Sequence, residues 1–234
     1  MIRTDFGVLD NPAWAALAGP QAHLAEHFCR AARYPVDVAP FVALADTADE
    51  RAWADLAVLA GPGGRVLLAG VDESPVDWPV VARIDGVQLV GSAVVGRPDP
   101  EVRRLGPADV PEMLDLVART EPGPFRPRTI ELGTYLGIRR GGDLVAMAGE
   151  RLHPPGWTEI SAVCTDQAYR GLGLASRLVG ALTAGIRDRG EKPFLHAAAN
   201  NTTAISLYET LGFTLRRQTT FLALRAPDPA LAPA

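Results

Sequence analysis

A strand-like segment, a glycine-containing turn and a helix-like segment follow one another between Thr158 and Gly190. The apolar run Ile160 to Cys164 predicts a strand, and the turn after it leads into Arg170-Gly-Leu-Gly-Leu-Ala175. Apolar side chains then recur at helical spacing as far as Gly190, a residue type that commonly follows a helix. Turn glycines let backbone N–H groups converge, and the N-terminus of a helix attracts an anion. The stretch therefore predicts a phosphate-binding strand–turn–helix unit, to which Arg170 adds a guanidinium.

The composition is that of an ordinary globular protein. The 234 residues suffice for one large domain or two small ones, with 47% hydrophobic and 21% charged residues. A net charge of −4 predicts no general attraction to nucleic acid or to an anionic membrane. No uncharged apolar run approaches the ~20 residues that span a bilayer, and the N-terminus does not resemble a signal peptide. Cys29 and Cys164 lie far apart without CxxC spacing, which favours a reducing cytoplasm as the location.

Residues 1–98 carry a mixed helix and strand pattern, which predicts a divergent N-terminal α/β domain. Asp85-Gly86 predicts a hairpin turn between two apolar runs. His23 and His27 have the spacing of metal ligands on a helix, but no third ligand is nearby, so no metal site is predicted. The predicted elements are helices over residues 12–18, 21–33 and 47–59, strands at 41–44 and 66–69, and the hairpin at 80–95.

Two prolines in the segment 97–100 predict a linker, after which a second unit covers residues 101–225. Residues 226–234 predict a disordered tail. Besides the strand and helix of the opening stretch, the second unit contains predicted strands at 102–105, 134–139, 144–150, 194–198, 213–217 and 220–225, and predicted helices after 106 and over 204–211.

Two motifs of this second unit resemble those of the GNAT superfamily of acyl-CoA-dependent N-acyltransferases. Arg170-x-x-Gly173-x-Ala175 matches the family's Arg/Gln-x-x-Gly-x-Gly/Ala motif between a strand and a helix. Asn201-Thr-Thr-Ala-Ile-Ser-Leu-Tyr-Glu-Thr-Leu-Gly-Phe213 matches its Asn-x-x-Ala-x-x-Leu-Tyr-x-x-x-Gly-Phe segment. The resemblance covers roughly half the chain and extends to glycine-N-acyltransferase-like members. It implies an α+β (α/β) fold, with a mixed, mostly antiparallel central sheet flanked by helices. One hypothesis for residues 1–98 is that they form a degenerate GNAT-like half.

The resemblance also implies acetyl-CoA as the cosubstrate, without a metal, and roles for particular residues. Backbone N–H groups of the glycine turn would bind the pyrophosphate, and main-chain groups of Val163 and Thr165 would meet the pantetheine arm in a splay beside the strand at 194–198. Asn201 would contact the same arm, and Tyr208 would act as general acid towards the thioester sulfur. The implied cofactor-binding residues are Val163, Thr165, Arg170, Gly171, Leu172, Gly173, Leu174, Ala175 and Asn201.

The general base has two candidates in the sequence. Glu159 lies on the strand that enters the motif and, by strict alternation, on the same face as Ser161 and Val163. Glu150 ends the preceding predicted strand and is the second candidate. A packing role in an amphipathic helix is the alternative for Tyr208, whereas His196, in an apolar strand, is predicted to be a hydrogen-bonded core residue rather than a base.

Three functions remain open at this point. The first is an N-acetyltransferase that acetylates a small-molecule or peptide amine in a ternary complex. A homodimer is one option for its oligomeric state. The second is a CoA-binding sensor or scaffold that lacks catalysis. The third is a Rossmann-type nucleotide-binding protein, which the missing Gly-x-Gly-x-x-Gly and the antiparallel hairpin before the motif disfavour. The sequence specifies neither the acceptor nor the acyl length.

Overall fold

The computed structural model describes residues 6–227, which form a large sheet with helices on both faces. The helices of this part are α1 Pro12–Leu17, α2 Glu50–Ala60, α3 Val110–Thr120, α4 Leu174–Asp188 and α5 Thr202–Thr210. Its strands are β1 Glu26–Phe28, β2 Ala31–Arg33, β3 Val42–Leu44, β4 Arg65–Ala69, β5 Val80–Val90, β6 Arg103–Arg104, β7 Tyr135–Arg140, β8 Asp143–Glu150, β9 Trp157–Thr165, β10 Lys192–Ala198 and β11 Thr214–Arg225.

The large sheet has eight strands in the order β4-β11-β5-β10-β9-β8-β7-β6. Strands β9 and β10 are parallel, and the other neighbours in the sheet are antiparallel. A second, antiparallel sheet contains β1, β2 and β3, and an isolated parallel bridge from Phe41 to Leu67 connects it to β4. The predicted mixed, mostly antiparallel sheet flanked by helices is thus confirmed.

Strand β5 is continuous, so the hairpin predicted at Asp85-Gly86 is wrong. Gly86 lies opposite Ala198 of β10 and Thr219 of β11, in the middle of the sheet. A Cβ atom at this position would come within 2.8 Å of the Phe221 ring. The glycine therefore permits close packing inside a sheet, a role that sequence reasoning confused with a turn.

The sheet continues across the predicted linker. Strands β4 and β5 precede residues 97–100, and β6 to β11 follow them, yet β5 lies between β10 and β11. The division into units 1–98 and 101–225 therefore does not separate two sheets, and it stays a proposal, as does the degenerate-half hypothesis. The two strands predicted at 213–217 and 220–225 are one strand, β11, with an irregularity between Leu215 and Arg217.

The helix predicted over residues 21–33 is wrong. A short 3-10 turn, Ala22–Leu24, precedes the hairpin of β1 and β2, whose turn contains Cys29 with a φ of 46°. Ala31 and Ala32 are fully buried because β2 lies between β1 and β3. His23 and His27 accordingly do not share a helix, and tertiary burial outweighs the helical propensity of this alanine-rich segment.

The helices predicted near residues 12–18 and 47–59 are present. Asn11 caps α1 by accepting a hydrogen bond from the Trp14 N–H, and Pro12 begins the helix. Helix α2 begins at Glu50, later than predicted, and Asp49 caps it by accepting a hydrogen bond from the Arg51 N–H at 2.9 Å. The longest described helix, α4, has 15 residues, and no helix in residues 6–227 is long and apolar enough to cross a bilayer.

Two apolar clusters cover opposite faces of the sheet around β9. Leu178 and Leu182 of α4 pack with Ile160 and Leu195 on one face. On the other face, helix α3 packs with Ala162, Cys164 and neighbouring strand residues. Each fully buried leucine contributes about 1.5–3 kcal/mol of apolar burial, so the strand is held firmly between the helices.

Ala226, the first residue of the predicted disordered tail, is ordered and packed. Ala226 is 2% exposed and donates a hydrogen bond from its N–H to the carbonyl oxygen of Gly64, so it belongs to the packed structure. The prediction for residues 228–234 falls outside the described residues.

Candidate active site

The glycine turn lies at the carboxyl end of β9 and leads directly into α4. Asp166 opens it by accepting a hydrogen bond from the Ala168 N–H at 3.0 Å, which forms a single 3-10 turn. Gly171 and Gly173 have φ values of 79° and 72°, in the left-handed region that favours glycine. A Cβ atom on either glycine would meet nothing within 4 Å, so backbone conformation rather than space requires them. The turn is therefore solvent-exposed and lies directly before the first residue of α4.

The N-terminus of α4 is available to an anion. Leu174 is its first residue, and Gly173 caps it without any side-chain hydrogen bond. The first N–H groups of a helix have no carbonyl partner within the helix, so they point outward with the positive end of the dipole. Arg170 is exposed beside them, and its Nε donates to the carbonyl oxygen of Thr165 at 3.3 Å. These features fit a pyrophosphate.

Strands β9 and β10 separate next to this turn. Their parallel pairing runs from Lys192 and Trp157 to Leu195 and Ile160 and then ends. In the same place β9 bulges, since the pairing with β8 shifts register and Ala162 takes a φ of 51°. The two strands therefore leave a gap between their carboxyl-terminal halves, which is the predicted splay.

The bulge corrects the predicted faces of β9. Val163 packs against the cluster on the α4 face, together with Ile160, whereas Ala162 and Cys164 pack on the α3 face. One extra residue in the bulge breaks the strict alternation between Glu159 and Val163, so these two side chains do not share a face. Val163 and Thr165 are half-buried and lie beyond the last residues paired with β10.

Tyr208 extends from α5 into a buried position near Cys164. It is 7% exposed, and its ring packs edge-on against Phe213 at a centroid distance of 6.0 Å. Burial raises the pKa of the Tyr208 hydroxyl to about 12, and the Cys164 thiol adds to the rise. Within residues 6–227 no hydrogen bond joins this hydroxyl to another side chain. The phenol is thus a protonated and unengaged donor.

Cys164 is a packing residue in its surroundings. Burial raises the pKa of its thiol to about 11, so the reactive thiolate is scarce at neutral pH.

Asn201 caps α5, because its Oδ1 accepts a hydrogen bond from the Ala204 N–H at 3.1 Å. The cap uses only the side-chain oxygen and leaves the amide N–H₂ of this exposed residue for another acceptor.

Glu159 is the centre of a buried polar network that the sequence did not predict. Arg151 forms a two-pronged ion pair with it, through Nε at 2.8 Å and through its terminal nitrogen at 2.6 Å. His196 Nδ1 lies 2.6 Å from the same carboxylate. Burial alone would raise the pKa of Glu159, but Arg151 and His196 outweigh it and lower that pKa to about 2. A fully buried carboxylate in this state is inaccessible to a substrate proton, which argues against Glu159 as the general base.

The network continues from His196 to the N-terminal segment. The side-chain nitrogen of Gln88 lies 3.0 Å from His196 Nε2 and donates to the carbonyl oxygen of Leu9 at 2.9 Å. The other side-chain atom of Gln88, Oε1, accepts from Arg216 at 2.7 Å. With Nδ1 donating to Glu159 and Nε2 accepting from Gln88, both ring nitrogens of His196 are engaged. His196 is therefore a hydrogen-bonded core residue in this arrangement.

The second candidate base, Glu150, is equally engaged. It is 2% exposed, its Oε1 accepts from Arg189 at 2.9 Å, and its Oε2 accepts from the Thr134 N–H at 3.0 Å. Arg189 directly follows α4, so Glu150 lies at the opposite end of that helix from the glycine turn. This position argues against contact with a group held at the splay.

Sequence reasoning missed Arg151. The sequence signal for this ion pair was that Arg151 and Glu159 flank the short connection between β8 and β9. In the structure the Arg151 N–H donates to the Glu159 carbonyl oxygen at 3.0 Å. A predicted hairpin around residues 151–157 would have brought the two charges opposite each other.

The network predicts an acid-sensitive fold. Because the folded state lowers the pKa of Glu159, the stabilisation is present above the unfolded value of about 4.3 and is lost as pH falls towards about 2. Chemical denaturation between these pH values should show a decline in the free energy of unfolding. The decline should be smaller in Glu159→Gln, and identical slopes in both proteins would contradict the assignment.

Comparisons with known proteins agree with this geometry. The FR47-like protein family model matches residues 135–222, which include the splay, the glycine turn and α5. A crystal structure of a protein described as belonging to the GNAT family, from Novosphingobium aromaticivorans, is 39% identical, with a TM-score of 0.85. The match covers 92% of this chain and 97% of that one.

Curated relatives match over a shorter stretch. An N-alpha-acetyltransferase RimI from Mycobacterium tuberculosis is 38% identical over 82 residues, which are 34% of this chain and 51% of that protein. A mycothiol acetyltransferase from Corynebacterium glutamicum is 38% identical over 76 residues, which are 32% of this chain and 26% of that protein. The chain thus spans about half or less of the length of these curated relatives. The extent of the Novosphingobium match, together with the two motifs in their predicted places, shows that the chain belongs to the GNAT family of acetyltransferases.

Proposed function

We propose that this chain is an N-acetyltransferase that transfers an acetyl group from acetyl-CoA to a primary amine in a ternary complex. The observation that carries the proposal is the glycine turn before α4, placed beside the gap between β9 and β10, with the buried Tyr208 side chain close to Cys164 of β9. The reaction is the one expected of the family. Cytoplasmic location and a homodimeric state are further expectations that await measurement.

The residues present fit the cosubstrate. Backbone N–H groups of Gly171 to Ala175, with the Arg170 guanidinium, would hold the pyrophosphate at the N-terminus of α4. Main-chain groups of Val163 and Thr165 would bind the pantetheine arm beyond the last paired residues of β9, and the Asn201 amide would contact it from α5. When bound, acetyl-CoA supplies an acetyl group activated as a thioester and a thiolate leaving group.

Tyr208 would protonate the departing sulfur. A phenol whose pKa is raised to about 12 stays protonated across the physiological pH range. The hydroxyl therefore always carries the proton that it would donate. The hydroxyl has no competing side-chain partner in the described part of the chain, so it is free to turn towards the sulfur.

The proton of the amine would leave to water. Neither Glu159 nor Glu150 offers an accessible carboxylate oxygen, because both are buried and paired with arginine. Without a strong base, amines of low pKa react best: an α-amino group has a pKa of about 8 and a lysine side chain about 10.4. The acceptor class supported best is therefore an α-amino group, and the N-alpha-acetyltransferase among the relatives points the same way.

A thiol-release assay tests the function. We expect CoA release from acetyl-CoA with peptides or small molecules that carry a free α-amino group, and slower release with Nα-acetyl-lysine amide. Binding of acetyl-CoA without turnover across the panel would favour the second candidate, a catalytically inactive CoA-binding sensor. The burial of both candidate bases is the observation that favours this alternative.

Gly173→Ala should weaken acetyl-CoA binding. A left-handed conformation costs a non-glycine residue about 1–2 kcal/mol, so the turn should relax away from the geometry that presents its N–H groups. This corresponds to a rise in Kd of roughly 5- to 30-fold in a calorimetric titration. The matched control is Gly185→Ala, inside α4 with open space for the new methyl group. The control should bind normally and unfold at a higher temperature, since alanine favours a helix; equal Kd values for both variants would refute the turn's role.

A further inference from the structure

A cavity lies outside the proposed acetyl-transfer site, among segments from the N-terminal half of the chain and the loop after α3. Its volume is about 330 Å³, at the lower end of the range for ligand pockets. Three separate segments line it: the connection between β2 and β3, the start of β4, and residues 126–127 of the proline-rich loop after α3. None of its lining residues belongs to the glycine turn or the splay, and one of them, Tyr34, lies close enough to Glu159 and Arg151 to feel their charges.

The walls of the cavity are fixed by hydrogen bonds between these segments. The Arg128 N–H donates to the Asp37 carbonyl oxygen at 3.0 Å, and Thr129 Oγ1 donates to the Val38 carbonyl oxygen at 2.6 Å. The bridge between Phe41 and Leu67 holds β3 against β4. The cavity is therefore part of the folded structure rather than a gap between unrelated loops.

Three arginines line the cavity, and two of them lack a partner. Arg33 pairs with Glu26 at 2.6 Å, whereas no carboxylate within residues 6–227 pairs with Arg65 or Arg126. The single acidic residue of the lining, Asp37, is already paired with Arg128 at 3.2 Å. The cavity therefore carries an excess of positive charge.

A neighbouring arginine increases this excess. Arg225 of β11 lies directly opposite Arg65 of β4, and like charges in this position of an antiparallel pair repel each other. Guanidinium groups bind planar carboxylates with two parallel hydrogen bonds, so an anion between such groups would relieve the repulsion.

The rest of the lining is apolar. Val42 and Val66 are buried in the wall, and Pro40 and Pro127 contribute further apolar surface. Val36 stands at the cavity with 71% of its surface exposed, an exposure that a bound apolar group would reduce. Apolar walls with a few charged groups are the usual composition of a small-molecule site.

We propose that this cavity binds a small organic carboxylate with an apolar body, such as a branched aliphatic or aromatic acid, at a site separate from the acetyl-CoA site. Arg65 and Arg126 bind the carboxylate, and the valine and proline side chains enclose the apolar part. The site does not depend on the proposed acetyl transfer.

Calorimetric titration of the full chain, at low salt and in the presence of saturating CoA, tests the proposal. The probes are isovalerate, benzoate and phenylacetate, with phenylacetamide as the uncharged control. We expect at least one carboxylate to bind one site per chain with a Kd on the order of 1 mM, and the amide not to bind. CoA is included so that binding at its phosphate-binding turn is blocked.

Variants assign the binding to the cavity. Arg65→Gln and Arg126→Gln should each weaken carboxylate binding about tenfold or more, because each removes a charge-assisted hydrogen bond. Arg51→Gln, an exposed arginine of α2 outside the cavity, should bind like the unmodified protein. Val36→Trp, which fills the cavity without a change of charge, should abolish binding. The proposal is overturned if no probe binds saturably, if the amide binds equally well, or if the cavity variants bind like Arg51→Gln.

Discussion

Replacing Tyr208 by phenylalanine is expected to lower turnover about 10²-fold in the thiol-release assay while acetyl-CoA binding is retained. The substitution removes only the hydroxyl, and the phenylalanine ring keeps the edge-on contact with Phe213. Since the hydroxyl makes no hydrogen bond to another side chain of the described residues, its loss should leave stability almost unchanged. The effect should therefore fall on the chemical step.

The matched control for this variant is Thr210→Val. It removes another hydroxyl from α5, one that donates to the Ser206 carbonyl oxygen on the exposed surface of the helix. Turnover of the control should equal that of the unmodified protein. Unchanged turnover in Tyr208→Phe would refute the acid assignment, and an equal loss in both variants would attribute the effect to α5 as a whole.

Arg151→Ala is expected to lower the free energy of unfolding by about 3–5 kcal/mol, the cost of leaving a buried carboxylate without its counter-charge. Glu159 is completely buried, and Arg151 supplies both short hydrogen bonds of the ion pair. The alanine also removes the guanidinium that lies 4.7 Å from the centre of the Phe41 ring. Urea denaturation measures the loss.

Two further variants separate a buried pair from an exposed one. Arg128→Ala breaks exposed ion pairs with Asp37 and Glu131, which water screens, and should lower the free energy of unfolding far less than Arg151→Ala does. The double variant Arg151→Met with Glu159→Gln removes both charges and should recover much of the stability lost in Arg151→Ala. Equal losses in Arg151→Ala and Arg128→Ala would show that the buried network contributes no more than a surface pair.

The cofactor end could be predicted from the sequence because its signals are local. A glycine turn between a strand and a helix leaves a pattern within a few residues, and Gly171 and Gly173 do adopt the left-handed conformations that such a turn requires. The cap of α5 by Asn201 is local in the same way. Such features depend on backbone preferences that neighbouring residues determine.

The features that failed depend on contacts distant in sequence. Gly86 looks like a turn residue until β10 and β11 pack on either side of it, over 100 residues further along the chain. The segment 21–33 looks helical until β2 is buried between two strands. The pairing of Glu159 with Arg151 and His196 likewise requires three strands to be in register, and the bulge at Ala162 changes which face each side chain occupies.

Calorimetric titration with acetyl-CoA, compared with S-acetylpantetheine, tests the central claim most directly. The two ligands share the acetyl thioester and the pantetheine arm, but only acetyl-CoA carries the pyrophosphate that the turn before α4 would bind. We predict one acetyl-CoA per chain and much weaker binding of S-acetylpantetheine. An absence of acetyl-CoA binding, or equal affinity for the two ligands, would contradict a pyrophosphate site at the glycine turn.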